Sequence, residues 1–258
     1  MRGCNRGWAA AVLVLAGSLS ALSPSRSAAD PEETVRPAQL ALFAPIQLFP
    51  KDASITGLRL SLFYGANENV TGLDIAGLLS QTTGDMTGLQ LGGVNWTGHE
   101  VHGVQLGVVS HAGSARGVQL GAANISLRSA RGMGLGGVNI ATGDFTGWQT
   151  GLLNAAGSEF RGFQAGLANQ MGDGVGLQIG AAGEAEGIVG LQLSGLNYAG
   201  KARGLQLGAI NVADEMRGGV QLGVINVARE TKGLQIGLIN VVEVGGWSLV
   251  LPLVNGSF

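Results

Sequence analysis

From residue 57 almost to the end of the chain, apolar and polar residues follow one recurring order, seen most cleanly at Gly233-Leu234-Gln235-Ile236-Gly237-Leu238-Ile239-Asn240. With the first Gly as position zero, the phrase starts at residues 57, 72, 88, 103, 117, 132, 147, 162, 176, 190, 204, 219 and 233, a period of 14 to 16 residues. Such a period marks an array of small structural units rather than an irregular globule. Position one is apolar in every copy and position three in every copy but that of Thr150. Between them, position two is Gln at Gln90, Gln105, Gln119, Gln149, Gln164, Gln178, Gln192, Gln206, Gln221 and Gln235, with Arg59, Asp74 and Gly134 as exceptions. Apolar, polar, apolar over successive residues predicts a strand, because side chains of an extended chain point to opposite faces in turn.

Position four is Gly, Ser or Ala, which leaves room only for a small group, and position six is always apolar. Position seven is Asn at Asn95, Asn124, Asn139, Asn154, Asn169, Asn197, Asn211, Asn226 and Asn240, while Leu79, Ser110 and Gly183 break the column. Asn tolerates left-handed backbone and bonds to neighbouring backbone, so it is read as a structural turn residue. Stacked copies of one amide can also bond to the copies above and below. The stretches after it, such as Ala213-Asp214-Glu215 and Ala228-Arg229-Glu230, collect charge and read as solvent-facing turns.

Two all-β architectures suit this pattern. In a single-domain repeat β-solenoid of about 14 coils of 14–16 residues, like positions stack on like, about 4.8 Å apart. Columns one, three and six would then fill a thin core and Gln would form an outward polar ladder. On that reading Leu207→Asp unfolds the chain and Gln206→Ala matters far less. The alternative is an up-and-down outer-membrane β-barrel with one strand per copy. Antiparallel strands have two kinds of turn and call for a doubled period and matched aromatic girdles. The chain shows one period, and its aromatic residues are scattered. The solenoid is therefore the expectation, although the terminal Phe258 resembles the last residue of barrel strands.

The flanks complete the organisation. Arg2 and Arg6 precede an apolar stretch over 8–22, and Ser27-Ala28-Ala29 offers small residues for cleavage, so 1–29 reads as a secretory signal peptide. Residues 30–56 read as a leader, solvated over 30–36, followed by short N-terminal cap strands interrupted by Pro45 and Pro50. The repeat domain covers 57–247, and 248–258 is a C-terminal cap repeat, Ser248-Leu249-Val250-Leu251-Pro252-Leu253-Val254-Asn255. There Pro252 stands in the second Gly column, as suits a strand with a free edge.

Composition narrows the functional classes. Removing 1–29 leaves 12 cationic and 17 anionic side chains, a formal charge of −5, which disfavours a nucleic-acid partner. The lone Cys4 lies in the removed segment, so an exported chain would rely on backbone pairing and burial without disulfides. His99, Glu100, His102 and His111 form a cluster that could suggest a metal, but they fall in different columns of the repeat and converge poorly. Gly-rich strings such as 132–137 lack the Lys and helix of a phosphate loop. No nucleophile elbow or carboxylate pair within reach of a His is visible. The expectation is a protein without catalytic residues, cofactor or metal.

With these columns in place, the chain resembles exported bacterial surface-repeat proteins built from tandem Gly-Leu-Gln-Leu-Gly-x-x-Asn units of about 15 residues. The resemblance covers 57–255. Its opening units, Gly57-Leu58-Arg59-Leu60-Ser61 and Gly72-Leu73-Asp74-Ile75-Ala76, are similar to the divergent first units of such proteins. It implies placement at the cell surface, outer membrane or periplasm of a Gram-negative-type bacterium and no defined activity. The expected role is structural, or a weak multivalent contact of the Gln face with an envelope polymer, glycan or host surface, with membrane association at the outer membrane. The alternative is a barrel that passes or recognises a solute.

Overall fold

A computed structural model describes residues 34–257; the expected signal segment 1–29, leader residues 30–33 and Phe258 lie outside the described residues. The chain is all-β and forms a solenoid of about 14 turns, not a barrel. The repeat runs through two compact units, Met1–Thr142 and Gly143–Phe258.

Within each unit, like positions of successive copies pair in parallel. In the first, Gly57 pairs with Gly72, Leu58 with Leu73 and Arg59 with Asp74. Further along, Gly117 pairs with Gly132 and Asn124 with Asn139. In the second, Gln149 pairs with Gln164, Gln221 with Gln235 and Asn226 with Asn240. One coil therefore supplies the backbone partners of the next, which is why a single period suffices. The register also moves one assignment. Ser80 pairs with Gly65 and with Asn95, so Ser80 rather than Leu79 occupies the Asn column. The first two copies carry one extra residue ahead of it.

The first Gly column is a point of closest approach between coils. Gly204 has φ +130°, and a Cβ there would lie 2.0 Å from the Gly190 carbonyl oxygen. Both the backbone angle and the contact demand Gly. Position four is equally tight, since a Cβ on Gly208 would lie 2.0 Å from the Ser194 carbonyl oxygen.

Both ends differ from the sequence reading. Val35–Phe43 pairs in parallel with Ser54–Asn67, placing Gln39 on Arg59 and Leu40 on Leu60. Residues 37–43 are thus a further copy of the repeat, masked in sequence because Pro37 stands in the Gly position. Arg36, read as part of a solvated leader, lies in this strand. At the other end, Val250–Ser257 runs antiparallel to Gly233–Val244, with Asn255 opposite Gln235. The segment resembles a fourteenth coil but folds back as a hairpin cap. Gly245, at φ +84°, starts the reversal, and the N–H groups of Val242 and Trp247 close it on the Leu249 and Gly256 carbonyls. About 14 turns therefore stands as a number, with a copy gained at the start and one lost at the end.

The larger correction concerns which side is inside. The Gln and Asn columns are buried, and the aliphatic columns face out: Leu207 is 38% exposed, Leu222 39% and Ile236 36%, whereas Gln206, Gln221 and Gln235 are at 1% or less. Stacked neighbours shield the flanks of any residue in a column, so exposures of this size mark the outer surface. The remaining interior comes from two columns of matching parity that the sequence reading placed in turns. Two residues before each Gly lie Ile55, Val70, Met86, Val101 and Ala115, packed together in the first unit. Their counterparts Phe145 and Phe160 stack at 5.8 Å in the second. Two residues after the Asn lie Ala199, Ala213 and Ala228, all buried, while Asp214, Arg229 and Glu230 beside them are exposed.

This inversion reverses the expected mutational hierarchy. Gln206→Ala strands the Gln192 acceptor and the Gln221 donor inside the coil, and leaving buried polar groups unpaired should lower stability by roughly 2–4 kcal/mol in urea denaturation. Leu207→Asp should cost less than this, because its carboxylate enters water.

Candidate functional site

Two features distinguish the molecule chemically: a polar spine inside the coils and an apolar surface outside. The spine is built from side-chain amides held in stacking distance by the parallel register. In the second unit each Gln donates one N–H to the preceding Gln: Gln164 to Gln149 at 2.8 Å, Gln178 to Gln164 at 2.9 Å, Gln192 to Gln178 at 2.9 Å and Gln206 to Gln192 at 2.7 Å. Gln221 and Gln235 continue it at 2.7 Å each. The same amide nitrogen reaches across the coil to the carbonyl six residues on, as from Gln192 to Tyr198 at 3.2 Å and from Gln235 to Val241 at 3.2 Å. In the first unit Gln119 donates to Gln105 and Gln105 to Gln90, both at 2.8 Å. Gly134 has no side chain with which to extend that column.

The Asn column makes a second spine. Asn197 donates to Asn211, Asn211 to Asn226 and Asn226 to Asn240, each at 2.8 Å. Each also donates to a strand carbonyl of the next coil, as from Asn197 to Leu207 at 3.0 Å. Shorter runs join Asn124 to Asn139 and Asn154 to Asn169 at 2.8 Å, and Asn95 bonds to the Leu106 carbonyl at 2.9 Å. Ser110 and Gly183 interrupt the column, as the sequence suggested. None of these Asn residues is left-handed: among the described residues Leu253 is the non-Gly residue with positive φ. They are strand residues that tie coil to coil, not turn residues. The ten Gln chosen from the sequence as an interaction face, Gln90, Gln105, Gln119, Gln149, Gln164, Gln178, Gln192, Gln206, Gln221 and Gln235, are all buried. They hold the molecule together and offer nothing to a partner outside.

The exceptions in the Gln column form the most strongly bonded group of the first unit. Arg59 and Asp74 are stacked neighbours, both fully buried, joined by two hydrogen bonds of 2.7 and 2.6 Å. The Arg59 guanidinium also donates to Ser80 Oγ at 2.5 Å, Thr82 Oγ1 at 3.1 Å and the Gln81 carbonyl at 2.8 Å. Asp74 accepts from the Ser80 hydroxyl and from Gln90 at 3.0 Å. The amide column of this unit thus runs donor-first into a carboxylate that a guanidinium neutralises. The sequence carried the signal, since opposite charges occupy one column in adjacent copies.

The His cluster disperses. His102 and Arg116 both pair with Glu100, at 3.1 and 2.7 Å. His111 instead lies buried, stacked on Trp96 with ring centroids 3.8 Å apart. Among the described residues no three His, Cys, Asp or Glu side chains are grouped to hold a metal. Burial pushes the His111 imidazole down to about 4 from its ordinary 6.5.

Outside, positions one, three and six of successive coils form largely apolar columns, to which position five adds Leu62, Val108, Leu152, Leu167, Val224 and Leu238. In the first unit they frame a groove of about 630 Å³ whose walls include Leu78, Leu79, Val94, Trp96 and Val108. The fold and its bonding define an all-β solenoid repeat protein with amide ladders inside and aliphatic columns outside. Compared with family models, curated proteins and solved structures, the chain matches none.

The buried pair yields a double-mutant prediction. Arg59→Ala or Asp74→Ala alone should destabilise the chain by about 3–5 kcal/mol, because each leaves a buried charge unpaired. Arg59→Gln with Asp74→Gln should recover most of that loss by extending the Gln ladder, as thermal denaturation of the single and double variants would register.

The pH dependence follows from His111. Its folded value lies below its unfolded value, so its stabilising effect is whole above about pH 6.5 and is lost as the pH falls toward 4. Between pH 7 and pH 4.5 this residue should remove about 2–3 kcal/mol. The decrement should shrink by that amount in His111→Phe, read from urea midpoints at the two pH values.

Proposed function

We propose that the protein is a non-catalytic, exported component of a bacterial envelope that associates with a bilayer surface through its aliphatic outer columns. The observation that carries this reading is the inversion of the coil. A side chain such as Leu207, Leu222 or Ile236 faces solvent at each turn of the second unit, and soluble surfaces seldom hold contiguous apolar area on this scale. Every coil adds the same contact, so many weak attachments act together.

The inversion also chooses among the partners foreseen from sequence. A glycan or other polar polymer would need the Gln column at the surface, and that column is inside. An apolar surface suits lipid, and the coil construction tolerates it, because backbone groups are paired between coils and the amides are paired within them. The solute-passing alternative requires a closed barrel with a lumen, which the solenoid lacks. The signal-like segment 1–29 and the likeness to exported surface-repeat proteins support placement in the envelope.

Vesicle flotation tests the proposal. The full chain should float with uncharged phosphatidylcholine vesicles, and Leu207→Asp with Leu222→Asp should reduce the floated fraction at least severalfold while the far-UV spectrum stays that of a β protein. A chain that stays at the bottom of the gradient with every vesicle composition rules the reading out.

A further inference from the structure

The outer face is sorted by charge as well as by polarity. The position just before the first Gly lies on the same outward side as the aliphatic columns and borders them. It holds His102, Arg116, Arg131, Arg161, Arg203 and Lys232, and no carboxylate in any copy. Carboxylates are likewise missing from positions one, three, five and six throughout the repeat. They gather instead three residues before the Gly, at Asp85, Glu100, Asp144, Glu159, Asp173 and Glu230, two residues along the chain from the rim and in the column that also holds Lys201. There they serve the backbone: Asp85 accepts the N–H of Glu100 at 3.0 Å and Asp144 that of Glu159 at 3.2 Å. In a chain of formal charge −2 the position that borders the aliphatic face thus carries cations and no carboxylate, and the nearby acids Glu100 and Glu159 are held by Arg116 and Arg161.

In the second unit this rim widens into a groove of about 560 Å³. The coils stack with the Gly162, Gly176, Gly190 and Gly204 backbones in contact, so Arg161, Val175, Val189 and Arg203 follow one another along the rim. By the spacing of stacked strands the two Arg residues stand about 14 Å apart. Between them Val175 and Val189 are 56% and 47% exposed and form an apolar floor. Gly174 and Gly187 add no side chains to the groove, the Asp173 carboxylate lying over Gly187, and Lys201 and Arg217 supply two more cations. Two acids also line it, Glu159 and Asp173. Glu159 is engaged by Arg161 at 3.0 Å and Glu215, outside the groove, by Arg217 at 2.7 Å. Lys201 and Arg203 take part in no ion pair among the described residues. The Arg217 hydrogen bond first, then the charges of Arg217, Lys201 and Arg229, hold the Glu215 carboxyl below its ordinary range, a sign of the positive field here.

Resting on the reading that the aliphatic columns meet a bilayer, we propose that this groove seats the anionic headgroup of a phospholipid in that bilayer. Lys201 and Arg203 contact the phosphate, Val175 and Val189 the glycerol and upper acyl carbons. Guanidinium forks match phosphate oxygens in pairs, and cations bordering an apolar face fit the level of the headgroups when that face enters the acyl boundary. A second copy of the chain is a poorer occupant, because the rim it would present carries the same cations, and the nearby carboxylates Glu100 and Glu159 are already engaged by Arg116 and Arg161.

The test compares flotation of the full chain with phosphatidylcholine vesicles and with phosphatidylcholine–phosphatidylglycerol vesicles. Binding to the mixed vesicles should be stronger by on the order of tenfold. That advantage should vanish in Lys201→Glu with Arg203→Glu, whose binding to phosphatidylcholine alone stays at the wild-type level, and it should persist in Lys51→Glu, which reverses a charge far along the sequence. Equal binding of the wild type to both vesicles overturns the headgroup site but leaves the apolar association standing. So does an equal loss in Lys51→Glu, which would reduce the effect to overall charge. Millimolar inorganic phosphate that removes the advantage as fully as the double variant would assign the groove to free phosphate and overturn the bilayer assignment. Binding to neither vesicle removes both readings together.

Discussion

Parallel stacking of like residues at one strand spacing is the constraint from which the rest of this structure follows. It lets an amide in one coil reach the same amide in the next, and in the second unit it links Gln149 to Gln235 through successive bonds of 2.7 to 2.9 Å. A polar interior is costly when its groups are unpaired and stable when every donor finds an acceptor. Repetition meets that condition because the partner of each amide is its own copy. The narrow coil supplies the rest, with the carbonyl six residues on completing the second donor of most Gln side chains.

The same logic explains where variation is tolerated. A substitution in an inward column must bond both to the coil before and to the coil after it. Arg59 and Asp74 meet that demand as a pair, whereas neither would meet it beside a Gln on both sides. The first Gly column is held by backbone angle and by carbonyl contact, so it hardly varies. The outward columns exchange Leu, Ile, Val, Met, Phe and Trp freely, as side chains do that touch only their neighbours in the column and whatever lies outside.

That outside is what connects the fold to a role at the envelope. An inverted coil moves hydrophobic area from the core to the surface, and the molecule remains folded because coil-to-coil hydrogen bonds and the buried columns around Ile55, Phe160 and Ala213 supply its cohesion. The surface then has a direction. Aliphatic columns come first, the cationic rim borders them, and the carboxylates stand two residues beyond that rim, where Glu100 and Glu159 meet its cations.

The sequence by itself determined the period, the strand nature of each copy, the solenoid and the small-residue columns, because each depends on spacing along the chain or on local backbone chemistry. It also showed that the Gln and Asn columns recur in register, which is all that a ladder needs. What it left open was the choice of face. Alternation states that Gln206 and Leu207 point to opposite sides, and it is symmetric under exchange of inside and outside. The tertiary structure breaks that symmetry through columns whose importance depends on stacking. The Ile55, Phe160 and Ala213 positions share parity with the amides and fill the space around them. Stacking likewise decided the ends. Pro37 hides a coil that register reveals, and the reversal at Gly245 turns a recognisable copy into an antiparallel cap, because pairing direction is set by how the chain returns to its neighbour and not by the residues of the copy.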